Sequence, residues 1–269
     1  MTGAGDGRFS SAHAFVVPAY GDSPFLHDCL SSLRSQSVAS QVVLATSTPS
    51  NFIEEAASRF GVDLVVNPRA GGIAPDWNFA LQSTDARYVT LAHQDDLYFP
   101  PFLARSLDLL AASSRSVLCF TGYLEIDNDG RPRVSRISLA KHLIEAITLG
   151  GAPCVGGSRL RSFLSFGNPL PCSSVTFDRS RLGDFAFSSD YRSNLDWEAW
   201  LQLLYRGETF VRTPERLVGR RHNSLTETAR LQRDGRRQTE DLAIFRKLWP
   251  RPIADVLAFC YRAGYRFDR

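Results

Sequence analysis

The sequence predicts an α/β fold: a mostly parallel sheet with helices on both faces, followed by C-terminal helices. Apolar, β-rich runs at residues 14–19, 41–45, 63–66 and 87–92 alternate with stretches of helical apolar spacing. Each connection is long enough to carry a helix, as βαβ units require. Residues 228–269 read as terminal helices.

The first strand, 14–19, ends at the turn Tyr20-Gly21-Asp22-Ser23-Pro24. A helix at 24–36 follows, with Phe25, Leu26, Cys29, Leu30 and Leu33 on one face. The second strand, 41–45, leads through Thr46-Ser47-Thr48-Pro49-Ser50 to a helix at 51–60, which Gly61 closes. The third strand, 63–66, stops at Asn67-Pro68, and Gly71-Gly72 opens a helix carrying Trp77, Phe79, Ala80 and Leu81. The fourth strand, 87–92, runs into His93-Gln94-Asp95-Asp96. Beyond Pro101, residues 102–112 are helical and 116–126 form a strand. The turn Asp127-Asn128-Asp129-Gly130 predicts a hairpin with a partner strand at 131–137. Residues 150–174 are rich in Gly, Pro and Ser and read as a flexible loop able to carry a binding site. Residues 196–204 read as a helix, and Arg220-Arg221-His222-Asn223-Ser224 as a basic loop.

The length of 269 residues suffices for a full core. No run of about 18 apolar residues occurs, so no membrane-spanning helix is expected. Residues 1–11 are Gly- and Ser-rich, which predicts a disordered lead-in and no secretory signal. Cys29, Cys119, Cys154, Cys172 and Cys260 are scattered without CxxC spacing; buried free thiols in a reducing compartment are expected. The net charge of +3 conceals an asymmetry. From Leu201 onward 15 basic side chains face 8 acidic ones, a net +7, which leaves −4 for the rest. Nearly all the basic residues are Arg, whose planar fork suits phosphate. The excess fits a diphosphate or an anionic membrane surface. Nucleic acid is not expected as a partner, because no recognition motif and no interleaved aromatic pattern accompanies the charge.

Asp95 and Asp96 close an apolar strand. Adjacent ionised carboxylates repel, and a cation between them and a ligand relieves that repulsion. Ligands of such sheets bind at the carboxyl ends of strands. The pair by itself is equally compatible with a solvated turn.

Five segments carry a resemblance. They are Phe15-Val16-Val17-Pro18-Ala19-Tyr20 with Cys29-Leu30-Ser31-Ser32-Leu33-Arg34-Ser35-Gln36; Asn67 with residues 72–78; the acidic pair; Leu195-Asp196-Trp197-Glu198-Ala199-Trp200-Leu201; and Arg220-Arg221-His222 with Ser224 and Thr226. In this order and spacing they resemble the family 2 nucleotide-sugar glycosyltransferases, of GT-A fold with a Rossmann-like sheet. The resemblance spans residues 12–230 and departs from the family in four places. The second strand ends in Thr46-Ser47-Thr48-Pro49, where the family has carboxylates. His93 takes the place of the first Asp of Asp-x-Asp, Trp77 that of an Arg, and Leu195 that of a Glu.

The resemblance implies an inverting, hexosyltransferase-like enzyme acting in bacterial surface polysaccharide or glycolipid synthesis. It implies a domain at 12–228, divided into a nucleotide-binding half (12–125) and an acceptor half (126–228), with a helical extension at 229–269. Mg²⁺ or Mn²⁺ is the implied cofactor, held by Asp95, with Asp96 as a second ligand or loop support, and by His222. Asp196 is the implied general base, with Glu198 as the alternative. Donor contacts fall to Pro18, Ala19, Tyr20, Asp22, Ser47, Asn67, Gly72, Asp76, Asn78, His93, Gln94, Asp95 and Arg221. Acceptor contacts fall to Pro171, Cys172, Ser173 and Trp197. The expected partners are a uridine, thymidine or guanosine diphosphate sugar and a saccharide or lipid-linked acceptor. The expected location is the cytoplasm, with peripheral contact at the inner face of the membrane through the Arg-rich C-terminal region. The four departures leave two alternatives open: a silent binding subunit that keeps the fold, or another sugar-nucleotide enzyme.

Overall fold

Four strands and three helices at the N-terminal end form as the periodicity predicts. In the computed structural model, which describes residues 12–69, 71–222 and 235–267, β1 (His13–Ala19), β2 (Gln41–Thr46), β3 (Asp63–Val66) and β4 (Tyr88–Leu91) are parallel, in the order β3-β2-β1-β4. The expected lead-in at 1–11, Ser224 and Thr226 lie outside the described residues. The intervening helices are α1 (Leu26–Arg34), α2 (Asn51–Phe60) and α3 (Ile73–Gln82). Ser50 caps α2 by accepting from the Ile53 N–H at 3.3 Å. Gly61, left-handed at φ 60°, ends it.

Alternate residues of β1 enter two cores. Ala14 and Val16 join α3 and the C-terminal helices; Phe15 and Val17 join α1, α2 and the later α4 (Phe102–Ala112). This two-sided burial explains why β1 reads as a continuous apolar run.

The second half departs from expectation. β6 (Ser116–Ile126) forms as read. Its hairpin partner shrinks to β7 (Pro132–Arg133), and α5 (Arg136–Leu149) occupies the rest of the expected strand. Ser135 starts that helix, its hydroxyl accepting from the Ser138 N–H at 3.0 Å. Residues 150–174 are structured, not a free loop. They hold β8 (Cys154–Val155) and α6 (Gly157–Leu164), which buries Leu160, Phe163 and Leu164.

Like β8, three further strands were not foreseen. β9 (Val175–Asp178) inserts antiparallel between β4 and β6, followed by the short α7 (Arg179–Leu182) and by α8 (Leu195–Tyr205). β10 (Thr209–Arg221) runs parallel to β6, with register shifts around 213–218. Gly122 sits at that shift, where a Cβ would lie 2.6 Å from the Pro214 carbonyl oxygen. The edge strand β5 (Leu97–Tyr98) pairs antiparallel to β10. β9 and β5 are therefore the reversed members of the main path, and the sheet is mostly parallel.

α9 (Arg236–Leu248) and α10 (Arg251–Phe267) complete the described chain. Pro250 separates them, and Pro252 occupies the first turn of α10, where its missing N–H leaves no helical bond unmade. No described helix is long and apolar enough to cross a membrane. All five cysteines are free. Cys29, Cys119 and Cys172 are buried as expected, but Cys154 and Cys260 are exposed.

Candidate active site

The acidic pair follows β4 on a turn held from three sides. The His93 N–H donates to Tyr98 Oη (3.2 Å), the Cys29 thiol lies 3.2 Å from the His93 carbonyl, and the Asp96 N–H closes back on that carbonyl at 3.1 Å. Asp96 is 2% exposed. Its Oδ1 accepts from the Arg221 N–H at 2.8 Å. Its Oδ2 has no hydrogen-bond partner among the described residues. Ser173 exerts a hydrogen-bond-like pull on this carboxylate, yet its Oγ is also without a partner of normal geometry.

His93, Asp95 and Asp96 each present a ligand atom, all within 4.8 Å of one another. Burial, then the neighbouring Asp96, pushes the Asp95 carboxyl up to about 6. Burial raises Asp96 and lowers His93. Each group is thus biased toward its neutral form, and a divalent cation would reverse the bias on the carboxylates. The orphaned Asp96 Oδ2 and His93 Nε2, with a donor set of two carboxylates and an imidazole, fit a hard divalent ion. His222 does not join this group. It is exposed at the end of β10, its N–H bonded to the Ile126 carbonyl.

Arg220 and Arg221 lie on β10, not in a loop, so their side chains leave on opposite faces. Arg221 is buried and fully engaged. It donates to the Asp95 carbonyl (2.9 Å) and the Asp127 and Asn128 carbonyls, reaches Asp28 at 3.4 Å, and lies 4.3 Å above the Phe25 ring. The expected donor contact from Arg221 is corrected accordingly: it holds the acidic turn in place. Arg220 is the one that faces the site. It lines a cavity with Asp196 and approaches Glu125 at 4.0 Å.

The strand-end loops interlock. Tyr20, 65% exposed, exchanges two hydrogen bonds with the Gln94 amide (3.1 and 3.0 Å). Asp22 accepts from Ser50 at 2.7 Å, and the Gly21 N–H donates to Thr48. Pro18 and Ala19 end β1 beneath this turn. Ser47 and Asn67 both donate to Asp76, at 2.8 and 2.9 Å. Asp76 on α3 therefore brings a carboxylate to the end of β2, whose own loop has none. Gly72, at φ 97°, makes the turn into α3. Two departures from the family pattern touch each other: Trp77 and His93 have ring centroids 4.9 Å apart. Asn78 is corrected. Both ends of its amide bond the Phe187 backbone (2.9 and 2.8 Å), tying α3 to the chain before α8.

Asp196 sits in the first turn of α8, half-buried, with Oδ1 accepting from the Trp197 N–H at 2.9 Å. It lines the same cavity as Pro171 and Arg220, and its charge is felt at His93. Glu198 is turned away, toward Gln202 and Lys247. Cys172, Ser173 and Trp197 are fully buried, which corrects their assignment as acceptor contacts. The Trp197 indole donates to the Leu164 carbonyl at 3.0 Å and meets Phe245 edge-on. Lys141, Asn168, Ser193 and Arg237 also line this cavity and were not anticipated. One signal was available: Lys141 is one of only two lysines in an Arg-rich chain.

The profile described as Glycosyl transferase family 2 matches residues 14–167. The chain belongs to glycosyl transferase family 2. No curated protein sequence matches this family 2 chain. Solved structures share its GT-A fold. S. aureus TarS 1-349 in complex with UDP-GlcNAc superposes with a TM-score of 0.63 at 12% identity, over 91% of this chain and 70% of that one. A longer TarS chain is spanned over 43% of its length. The mannosyltransferase PcManGT from Pyrobaculum calidifontis, in complex with GDP-Man and Mn²⁺, gives 0.62 at 18% identity, over 96% and 72%. Glucosyl-3-phosphoglycerate synthase from Mycobacterium tuberculosis, with Mn²⁺, UDP and phosphoglyceric acid, gives 0.57 at 15%, over 82% and 75%.

Proposed function

We propose that this family 2 chain transfers a sugar from a nucleoside diphosphate sugar to a hydroxyl acceptor, with inversion and with Mg²⁺ or Mn²⁺. The carrying observation is the His93–Asp95–Asp96 group at the end of β4, with the Asp196 carboxylate on the adjoining cavity. When bound, the metal supplies charge neutralisation for the departing diphosphate. Asp95, Asp96 and His93 would hold it.

Asp196 takes the proton of the acceptor hydroxyl as that oxygen bonds to the anomeric carbon. The bond from that carbon to the phosphate oxygen breaks, and its electron pair leaves with the nucleoside diphosphate. Arg221 fixes the acidic turn from behind. The group formed by Ser47, Asn67 and Asp76 offers a carboxylate for base or ribose hydroxyls, and Tyr20 a ring face for the base.

The proposed setting is the synthesis of a surface polysaccharide or glycolipid by a cytoplasmic enzyme at the inner face of the membrane. The outer side of α5 supports such contact, because Leu139, Leu143 and Ile147 are exposed together. On α10, Val256 and Phe259 are exposed beside Arg262.

The test is the melting temperature of the full chain with UDP-, dTDP- and GDP-sugars, each with Mn²⁺ or with EDTA. Metal-dependent stabilisation by one nucleotide is expected. Stabilisation by none would favour a silent binding subunit, the reading that the lost acidic residues at His93, Thr46 and Leu195 support.

A further inference from the structure

The helix that carries Asp196 is held at its start by two acids from the far end of the chain. Residues 183–194, between α7 and α8, form neither helix nor strand. Their last three N–H groups converge on one carboxylate of α9. Glu240 Oε1 accepts from the Arg192 N–H at 2.9 Å, and its Oε2 accepts from the Ser193 and Asn194 N–H groups at 2.8 and 3.0 Å. Successive N–H groups at the start of a helix make a site for an anion. Here the anion is the protein's own side chain, 6% exposed and neutralised further by Arg236 at 3.2 Å. The adjacent Asp241 accepts from the Asn194 side-chain amide at 2.8 Å. That amide therefore reaches α9 and does not cap its own helix.

Asn194 passes this hold on to Asp196. Its carbonyl accepts the first helical bond of α8, from the Glu198 N–H at 2.9 Å. Asn194 is thus fixed through its N–H, its side chain and its carbonyl, two positions before Asp196. The Asp196 carboxylate accepts from the Trp197 N–H, its own neighbour, and no described side chain hydrogen-bonds it. Its direction follows from the backbone of the first turn, where a helix lacks i→i−4 bonds to its own N–H groups. Glu240 and Asp241 lie beyond the segment that the family profile matches, 14–167, and beyond the motifs of the resemblance.

We propose that Glu240, with Asp241 beside it, is a positioning residue: it holds residues 192–194 so that Ser193 and Asp196 face the cavity they both line. The proposal rests on the reading of Asp196 as the general base and adds the residue that aims it. A catalytic group displaced by about 1 Å loses about 10²-fold in rate, so the clamp matters to turnover more than to folding.

The experiment follows nucleoside diphosphate release by the full chain from UDP-glucose, dTDP-glucose and GDP-mannose with Mn²⁺, water serving as the acceptor, well below the melting temperature. Wild type, Glu240→Gln, Glu240→Asp, Asp196→Asn and the double variant of Glu240→Gln and Asp196→Asn are compared. Glu240→Gln keeps the side-chain volume but turns a donor toward the N–H groups. It is expected to lower kcat by about 10–100-fold and to leave the KM for the nucleotide sugar unchanged. Added to Asp196→Asn it costs nothing further, because the base it aims is already gone. Glu240→Asp keeps the charge and withdraws the oxygens by one methylene. It lowers kcat less, and it carries the test if Glu240→Gln does not fold. Amide hydrogen exchange, which needs no turnover, should quicken at residues 192–198 in Glu240→Gln and stay unchanged in β1 to β4.

Three results would overturn the proposal: an unchanged kcat in both Glu240 variants, an undiminished further loss in the Asp196→Asn background, or faster exchange throughout the chain. The last two would show a general loosening of the fold. Normal turnover in Asp196→Asn removes the base reading itself, and a wild type that releases no nucleoside diphosphate removes the glycosyltransferase reading; the positioning role falls with either. An effect of Asp196→Asn without one of Glu240→Gln removes only the positioning role.

Discussion

At the end of the site formed by β1 to β4, short loops lock to one another through exposed or half-buried polar contacts. Gln94 holds Tyr20, Ser50 holds Asp22, and Asp76 holds Ser47 and Asn67. At the end around Asp196, the walls come from α5, α8, α9 and β10, and their polar groups sit among buried side chains. The first region is set by local turns that follow each strand. The second is set by long-range packing, and there a single residue step decides whether a cation serves the fold or faces the cavity. Arg220 and Arg221 are neighbours in sequence on opposite faces of β10.

That contrast can be broken or sharpened by mutation. The largest effect is expected at Asp196. Asp196→Asn should lower kcat by about 10²–10⁴-fold, the usual range for a lost general base, without lowering the melting temperature. Normal turnover would remove Asp196 from catalysis. Arg221→Gln comes next. It strips the side-chain bonds to the Asp95, Asp127 and Asn128 carbonyls and the buried guanidinium's contact with Asp28, and should cost about 3–5 kcal/mol in chemical denaturation. Arg220→Gln, one position away, should cost under about 1 kcal/mol. Equal losses would refute the division of labour on β10.

Asn78→Ala should destabilise by about 1–3 kcal/mol, because it leaves the Phe187 backbone groups unpaired. Its nucleotide affinity should stay unchanged, and a selective loss of nucleotide binding would return Asn78 to the donor set.

The effect spread most gradually over conditions lies at the opposite end of β1. His13 is fully buried between Ser40 and Thr90, and burial pulls its pKa from 6.5 to about 3. The unfolded chain takes up this proton near pH 6.5, while the folded chain resists it to about 3. The contribution of His13 is therefore complete above pH 6.5 and is lost on acidification, at about 1.4 kcal/mol per pH unit across that window. His13→Gln should flatten the stability slope there; an unchanged slope would show that His13 is not protonated on unfolding.

The legibility of the sequence follows the same division. β1 to β4, α2 and α4 could be read because each buries a face whose period shows in a short window. The acidic pair, Asp196 and the loops of β1 to β3 could be read because a motif resides within one strand–turn–helix unit. α5 was masked by the hairpin signal of Asp127 to Gly130, which is real but supports only a two-residue partner. The Gly- and Ser-rich composition of residues 150–174 hid α6, whose stability comes from Leu160, Phe163 and Leu164 packing in the core. β10 was hidden by its bulge at Pro214, opposite Gly122.

By itself, then, the sequence determined the parallel sheet of β1 to β4, the family resemblance and the carboxylates of the site, because these depend on contacts between residues close along the chain. Tertiary structure alone decided which arginine faces the cavity, that Cys172, Ser173 and Trp197 are core, and that Lys141, Ser193 and Arg237 meet Asp196. Those outcomes depend on strand pairing and helix packing between distant segments, whose geometry no local pattern encodes.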